Sequence, residues 1–211
     1  MEQQDILSMT LPELQAAVQE LSEPKFRAKQ IFNWLHQKRV TDFSEMTTLS
    51  LPFRERLASD FCINRLKIAK RLASSVDDTV KYLYELPDGN YVETVCMQYH
   101  HGTSLCISTQ VGCRMGCRFC ASAIAGFVRN LTPAEMLLQI YETERAQNCK
   151  ISSLVLMGIG EPLDNFDNVL RFLQLLSDPN GYGMSLRHVT VSTCGVVPKI
   201  LELAEQRLGL V

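Results

Sequence analysis

The chain has 211 residues, a formal net charge of −2 and a hydrophobic fraction of 46%, which fits a globular protein with one sizeable core or two modest ones. No apolar run approaches the roughly 18 residues of a membrane-spanning helix, and the N-terminus lacks the basic and apolar regions of a secretory signal. We therefore expect a cytoplasmic protein that does not enter a membrane. It has eight cysteines, and reduced thiols in that compartment favour metal or redox chemistry.

The N-terminal third shows helical patterning. Thr10-Leu-Pro-Glu13 matches an N-cap ahead of a first apolar stripe, and two further stripes follow. The apolar positions of the three predicted helices are Leu14, Val18 and Leu21, then Phe26, Ile31, Trp34 and Leu35, then Phe53, Leu57 and Phe61. Trp34 could stack on a nucleic-acid base, but its helical spacing favours packing in the core.

The charges are unevenly distributed along the chain. Residues 24–71 carry eleven basic and four acidic side chains, a local excess of seven positive charges. Lysine and arginine supply most sequence-independent affinity for nucleic acids, so this segment could bind phosphates. A solvated helix face is the alternative interpretation, and the charges alone do not decide between the two.

The middle and C-terminal parts show strand and then strand–helix patterning. Thr79–Leu86, a turn at Pro87–Asn90 and Tyr91–Gln98 predict a β-hairpin. Three strands then alternate with three helices: Ser104–Val111, a helix capped by Thr132 and ending near Gln147, Ile151–Met157, Val169–Leu176, His188–Val191 and Pro198–Glu205. Leu208–Val211 would begin a fourth strand. This order predicts a parallel sheet with ligand chemistry at the carboxyl ends of its strands.

The strongest chemical signal is the loop Cys113-Arg-Met-Gly-Cys117-Arg-Phe-Cys120, which follows the first of these strands. Three thiolates this close together can surround one metal centre. A cubane iron–sulfur cluster has four irons, so three cysteines leave one iron open to a non-protein ligand. Gly112 and Gly116 would let the loop turn tightly around such a cluster.

Two other interpretations of the cysteine loop stay open at this point. A zinc ion could be held with a distant fourth ligand, for which His100 or His101 is available, although zinc sites usually have paired C-x2-C units. The three cysteines could also pack in a core, but their spacing makes this the weakest interpretation. The remaining cysteines form no second pair, and Cys62, Cys96, Cys149 and Cys194 are read as packing residues.

The cysteine loop and its context resemble a known family. A C-x3-C-x2-C loop with an aromatic residue before the last cysteine is typical of radical S-adenosylmethionine (SAM) enzymes. The other matching segments are Val92–Val95, Leu105-Cys106, Ser108–Cys113, Gly126–Leu131, Met157–Leu163 and Val191–Pro198. Together they resemble the dual-specificity ribosomal RNA adenine-C2 methyltransferases, the RlmN family, over essentially the whole chain.

The resemblance implies a [4Fe–4S] cluster and SAM as cofactors. In that family the cysteines matching Cys113, Cys117 and Cys120 hold the cluster, and SAM chelates the fourth iron. The resemblance also makes Gly160, Glu161 and Ser192 SAM-binding residues. Without it, the two glycines around Ile159 could simply belong to a turn at a strand end, and Ser192 could cap the next turn.

The resemblance also implies two catalytic residues. Cys106 matches a nucleophile that attacks a protein–RNA thioether and releases the methylated product. Glu93 matches the proton acceptor of that step. By their residue types alone, Cys106 would be a small buried side chain and Glu93 a solvent-facing one.

The implied reaction is methylation of C2 of an adenine in 23S rRNA, and of an adenine in tRNA, through a methylcysteine intermediate. The adenine must leave its stack, and RNA would be recognised by its folded shape. A flavodoxin or ferredoxin would supply electrons. The alternatives are a Cfr-type enzyme that methylates C8 and a non-catalytic RNA-binding fragment. The sequence is silent on the oligomeric state.

We therefore predict an α/β fold: about three βα units of the six-unit radical SAM barrel, preceded by a small helical N-terminal domain and a β-hairpin. The predicted boundaries are 1–75 for an RNA-binding accessory domain, 76–101 for the hairpin extension and 102–211 for a truncated radical SAM core. The methyl-carrying cysteine of the family lies beyond residue 211, so we expect the chain to be C-terminally truncated and inactive alone.

Overall fold

The computed structural model describes residues 3–124 and 126–211, so the first two residues of the predicted N-terminal domain lie outside it. The α-helices in these ranges are α1 (Leu11–Glu20), α2 (Phe26–His36), α3 (Leu51–Asp60), α4 (Pro133–Gln147), α5 (Phe166–Ser177) and α6 (Val197–Glu205). The strands are β1 (Gln4–Asp5), β2 (Phe61–Cys62), β3 (Lys67–Ala73), β4 (Val80–Glu85), β5 (Tyr91–Tyr99), β6 (Gly102–Ile107), β7 (Gln110–Gly112), β8 (Phe127–Asn130), β9 (Ile151–Leu156) and β10 (Val189–Val191).

The three predicted N-terminal helices are present as α1, α2 and α3. The predicted N-cap at Thr10 is confirmed, and Glu13 adds a capping box that the sequence analysis did not predict: the backbone N–H of Thr10 donates to Glu13 Oε2 at 2.8 Å. Phe26, predicted to lie in the core, is instead 57% exposed. Phe26 is the first residue of α2, and this end of the helix lies outside the core. The Arg27 guanidinium lies 5.0 Å from the centroid of the Phe26 ring.

The N-terminal helices pack against the C-terminal half of the chain. One continuous cluster of buried apolar residues runs from Ile6 to Val189. At its centre His36 of α2 is fully buried, and its Nδ1 is hydrogen-bonded to the hydroxyl of Tyr141 in α4 at 2.9 Å. The N-terminal helices therefore share buried core with α4.

The main sheet has six strands in the order β10-β9-β6-β5-β4-β3. β6, β9 and β10 are parallel, and α4, α5 and α6 follow them, which confirms the three predicted βα units. β4 and β5 form the predicted hairpin, and β5 pairs antiparallel with β6. The sequence pattern did not reveal β3, whose seven residues are all exposed at the edge of the sheet.

The strand predicted over Ser104–Val111 is wrong as a single element. β6 ends at Ile107, and β7 begins at Gln110 and pairs with β8 outside the main sheet. The buried side chain of Gln139 causes the break: its Oε1 accepts from the backbone N–H of Ser108 at 2.9 Å, and its Nε2 donates to the Ser108 carbonyl at 3.0 Å. A side-chain amide thus replaces the ladder bonds that a continuing strand would need.

The predicted fourth strand at Leu208–Val211 is not present as regular structure, although residues 208–211 are described. Val211 nevertheless follows the sheet. Its N–H donates to the carbonyl of Val189 at 3.1 Å, and its carbonyl accepts from the N–H of Val191 at 3.1 Å. The chain thus returns beside β10 without completing a strand.

The two faces of the main sheet have different environments. Because side chains alternate along a strand, Val92, Cys96, Leu105, Ile107 and Leu154 share the face that is buried in the core. The opposite, half-buried face carries Glu93, Val95, Cys106 and Val155. We call this opposite side the open face, and it is the inner side that a closed barrel would surround.

Two sequence expectations concern the chain as a whole. In the described part of the chain, no helix combines the length and the apolar character needed to cross a membrane. The domain boundaries near residues 75 and 101 stay predictions, and β5 and β6 pair across the second of them.

The buried His36 makes a pH-dependent stability testable. Burial lowers its pKa from 6.5 to about 4, so the unfolded chain binds this proton between those two pH values and the folded chain does not. Folding is therefore expected to lose stability as the pH falls from 6.5 to 4, by about 3 kcal/mol at most. Urea unfolding at several pH values measures the loss.

His36→Gln is the matched control, because an amide still offers Tyr141 a hydrogen-bond partner but does not titrate. The variant should lose less stability than the wild type over this pH range. Equal losses in the two proteins would contradict the role of His36.

Candidate metal and cofactor site

The cysteine loop is closed at its base by a tight backbone contact. The N–H of Cys113 donates to the carbonyl of Gly126 at 3.0 Å. A Cβ atom on Gly112 would lie 1.8 Å from that same carbonyl oxygen, and Gly112 also has a φ of +70°. Only glycine fits at position 112. Gly112 therefore allows the two ends of the cysteine loop, at residues 112 and 126, to lie in direct backbone contact.

The loop lies over the carboxyl ends of β9 and β10 and encloses a cavity of about 200 Å³. Six of the eight predicted site residues line this cavity: Cys113, Cys117, Cys120, Gly160, Glu161 and Ser192. They come from three separate segments of the chain, and the fold brings them together at the edge where parallel sheets bind ligands.

The donor chemistry of this cavity fits an iron–sulfur cluster. Three cysteine side chains within residues 113–120 line one wall of the cavity, and cysteine thiolates are the usual ligands of such clusters. Among the residues described, no three or more His, Cys, Asp or Glu side chains lie close enough together to hold a single metal ion. The fit therefore rests on the type of donor and on the shared cavity.

The histidines considered as zinc ligands lie at the other end of the sheet. His100 and His101 precede β6 and contact each other edge-on with ring centroids 4.9 Å apart, and His101 stacks on Tyr99. The cysteine loop follows the opposite end of β6, about 20 Å away for a six-residue strand. Neither histidine can complete a metal site with the loop cysteines.

Glu161 is buried and ties two strand ends together. Its Oε1 accepts from the backbone N–H of Leu163 at 2.9 Å, and its Oε2 accepts from the backbone N–H of Cys194 at 2.7 Å. Its side chain thus links the loop after β9 to the loop after β10. Each carboxylate oxygen can accept a further hydrogen bond, so Glu161 is held in place and can still bind a cation.

The glycine at position 160 is required by a residue that the sequence interpretation missed. Gly160 has a φ of +107°, and a Cβ there would lie 2.6 Å from Cβ of Gln110. Gln110 is fully buried, donates to Asn130 Oδ1 and Asp164 Oδ2 at 2.8 Å, and accepts from the N–H of Glu161 at 2.9 Å. A glutamine inside an apolar strand pattern is the signal that could have identified it.

Ser192 follows β10, and its backbone N–H donates to the carbonyl of Leu156 at 3.3 Å. This contact places Ser192 beside the end of β9, on the cavity wall that faces the cysteine loop. Its position in the cavity agrees with the predicted SAM contact, which stays a prediction.

The two predicted catalytic residues lie on the open face of the sheet, outside the cysteine cavity. Cys106 is directly opposite Val95 on β5, and Glu93 is two residues from Val95 on the same face. Such diagonal neighbours are about 7–8 Å apart. Burial raises the pKa of the Cys106 thiol above its ordinary value, against a hydrogen bond with the backbone of Met157 that lowers it.

Glu93 has a charged partner and a cavity of its own. Its Oε1 lies 2.7 Å from Nζ of Lys81, and both side chains are about two-fifths exposed. The adjoining cavity has a volume of about 390 Å³ and extends from Glu93 to the ends of the cysteine loop. Ser122 lines both this cavity and the cysteine cavity, so the two are neighbours.

Cys194 corrects the interpretation of the remaining cysteines as packing residues. Its side chain is exposed and lines the cavity that contains the three loop cysteines. Partial burial and the neighbouring Glu161 carboxylate raise the pKa of this thiol to about 11. Cys96, in contrast, is buried in the core as predicted.

The chain matches two families of known proteins. Residues 4–63 match the ribosomal RNA large subunit methyltransferase N-terminal domain, and residues 107–209 match the radical SAM superfamily. The chain belongs to the RlmN family of radical SAM proteins. The cysteine loop and its cavity lie within the segment that matches the radical SAM superfamily.

Individual relatives agree with this assignment. The chain is 52% identical to a probable dual-specificity RNA methyltransferase RlmN of Lachnoclostridium phytofermentans, over 98% of this chain and 58% of the relative. It is 48% identical to the protein of the same description in Clostridium novyi, over 98% of this chain and 60% of that relative.

A solved structure shows the same fold. The crystal structure of a radical SAM methyltransferase from Sphaerobacter thermophilus superposes with a TM-score of 0.91 at 34% identity, over 98% of this chain and 62% of that chain. The predicted partial radical SAM barrel is thereby confirmed. The chain spans about three fifths of the length of the relatives that it matches.

The contact between Gly160 and Gln110 gives a testable consequence. We expect Gly160→Ala to destabilise the protein by about 2–4 kcal/mol, because the new methyl group meets Gln110 and the φ of +107° disfavours any side chain. Gly195→Ala is the matched control: its φ is +103°, but no atom lies within 4 Å of the added Cβ. It should cost only about 1 kcal/mol. Equal losses in urea unfolding would contradict the packing role of Gly160.

Proposed function

We propose that this chain contributes the cluster- and SAM-binding part of an RNA methyltransferase that modifies C2 of an adenine in 23S rRNA and of an adenine in tRNA. One observation supports the proposal above the others. A single cavity at the carboxyl edge of the parallel strands is lined by three loop cysteines together with Gly160, Glu161 and Ser192. The chain spans only part of its relatives, so the proposal concerns the activity of the whole protein.

The proposed roles within the cavity follow from the donor groups. Cys113, Cys117 and Cys120 would hold a [4Fe–4S] cluster as thiolates. When bound, the cluster and SAM supply the one-electron chemistry that the protein side chains lack. The Glu161 carboxylate, held by two backbone N–H groups, would accept a hydrogen bond from the SAM ammonium group. Ser192, which follows β10 and lines the same cavity, would also contact SAM.

Cys106 and Glu93 are proposed to complete the transfer through a methylcysteine intermediate. The thiolate, not the thiol, is the nucleophile, so the Cys106 thiol must lose its proton before its sulfur can attack the protein–RNA thioether. Burial raises the pKa of this thiol and so favours its protonated form. Glu93 would take the proton from the adenine carbon as the adduct collapses. Lys81 Nζ, 2.7 Å from Glu93 Oε1, would hold the carboxyl group in position for that role.

RNA is the proposed partner of the basic segment at residues 24–71. Several of its cations are used internally, as in the ion pairs of Arg39 with Glu144 and of Arg65 with Glu142. The basic residues of β3, in contrast, lie on an exposed edge strand. We propose this edge as a phosphate contact. An electron donor of the flavodoxin or ferredoxin class and a cytoplasmic location stay predictions.

Anaerobic reconstitution of the chain with iron and sulfide tests the proposed cofactors. We expect about four irons per chain and, after reduction, an EPR signal that changes when SAM is added. The triple variant C113A/C117A/C120A should bind no cluster. Cys106→Ala is the matched control, because its thiol lies outside the cavity, and it should keep both the iron content and the SAM response.

A colourless or zinc-loaded wild-type chain would contradict the proposed cofactors. In the whole protein, analysis of the methylated nucleoside decides the position of the methyl group. 2-Methyladenosine supports the proposal, and 8-methyladenosine would indicate a Cfr-type enzyme instead.

Binding to a 23S rRNA fragment that contains the target adenine tests the proposed edge. The variant K67A/K70A/R71A should weaken binding and lower the salt slope by up to about three units, one for each lost phosphate contact. Lys150→Ala removes an exposed lysine ahead of β9 and is the control. The three residues of β3 are exposed, so the fold should be unaffected. An unchanged salt slope would contradict a role for β3.

A further inference from the structure

A fourth thiol shares the cavity of the three loop cysteines. Cys194 lines this cavity with Cys113, Cys117 and Cys120. Of the cysteines that the structure describes, these four line the cavity. Three come from the loop after β7, and the fourth faces them from the loop after β10.

The position of Cys194 is fixed by its backbone. Its N–H donates to Glu161 Oε2 at 2.7 Å, and the next N–H, of Gly195, donates to Thr193 Oγ1 at 3.1 Å. The Cys194 side chain is exposed and lines the cavity. A fixed backbone with an exposed side chain lets the sulfur change partners by rotation about one bond.

We propose that Cys194 is the fourth cluster ligand when SAM is absent, and that SAM displaces it. The inference rests on the proposed function, since it requires the cluster. The exchange moves no electrons between the partners: the iron–sulfur bond to Cys194 breaks, and SAM supplies an amino nitrogen and a carboxylate oxygen to the same iron. The released Cys194 thiolate would take up the proton that the SAM ammonium group loses, so the sulfur leaves the iron as a thiol that stays in the same cavity.

This ligand exchange has two consequences. A cluster held by four thiolates has no open iron, so it is protected from water and small oxidants until SAM arrives. SAM must also compete with the Cys194 sulfur for the iron. The apparent affinity for SAM is therefore the intrinsic affinity multiplied by the fraction of chains whose iron is open. Removing the Cys194 sulfur should therefore strengthen SAM binding, whereas removing a SAM contact would weaken it.

The experiment compares the reconstituted wild-type chain with C194S and C194A in buffer free of small thiols. Without SAM, the EPR spectrum of the reduced wild type should differ from the spectra of both variants, because one cluster iron of the variants lacks the Cys194 sulfur ligand. With saturating SAM the spectra should coincide, since SAM occupies that iron in all of them. The SAM dissociation constant of the variants should fall about tenfold if Cys194 occupies the iron in about nine tenths of chains.

C149S is the matched control, because Cys149 lies outside the cavity, and it should behave as the wild type in every measurement. Circular dichroism of each variant shows whether it has folded. The wild type could hold a SAM-responsive cluster and still give the same SAM-free spectrum as C194S and C194A. That result would overturn the fourth-ligand role of Cys194 and leave the proposed function intact. A wild type that binds no cluster would overturn both.

Discussion

Three loops at the carboxyl edge of the sheet depend on one buried side-chain amide. Gln110 accepts from the N–H of Glu161 and donates to Asn130 and Asp164. Asp164 in turn lies 2.9 Å from Nε of Arg114, inside the cysteine loop. Because the Glu161 N–H would lose this acceptor, and Asn130 and Asp164 would lose this donor, without the amide, the positions of the cysteine loop and of the Glu161 loop are linked through Gln110.

The break after β6 makes this arrangement possible. A strand that continued through Ser108 would have carried the cysteines further along the sheet and away from the ends of β9 and β10. The Gln139 side chain satisfies the backbone of Ser108 instead. The chain is then free to leave the sheet, pair as β7 with β8 and place the loop over the strand ends. A helix residue thus determines where the metal-ligand loop can lie.

Local patterns were sufficient to predict much of the fold. The capping box at Thr132 and the alternation of Tyr91–Gln98 predicted α4 and β5, because both signals depend on nearby residues. The spacing of the loop cysteines predicted that their three thiols would share one cavity, since all three lie within one loop. The exposed strand β3 was missed because it has no buried face and therefore no alternating pattern.

Other features depend on contacts between distant segments, which a single sequence does not reveal. The break at Ser108 is caused by Gln139, thirty-one residues further along the chain. Cys194 was misread for the same reason. The residues next to it in the sequence do not indicate that it shares a cavity with the cysteine loop, because the two are brought together by the parallel order of the strands. Polar residues inside apolar patterns, such as Gln110 and Gln139, are the remaining local sign of such contacts.

Glu161 joins the structural and chemical parts of the site. The carboxylate proposed to bind the SAM ammonium group also holds the N–H groups of Leu163 and Cys194. These two hydrogen bonds fix the orientation of the carboxylate and so the direction of its remaining lone pairs, to which a cation would bind. By reciprocity, the effect of the order of the Cys194 loop on cation binding at Glu161 equals the effect of cation binding on the order of that loop. Cofactor affinity is therefore coupled to the order of the β10 loop, and residues outside the cavity can influence it through that loop.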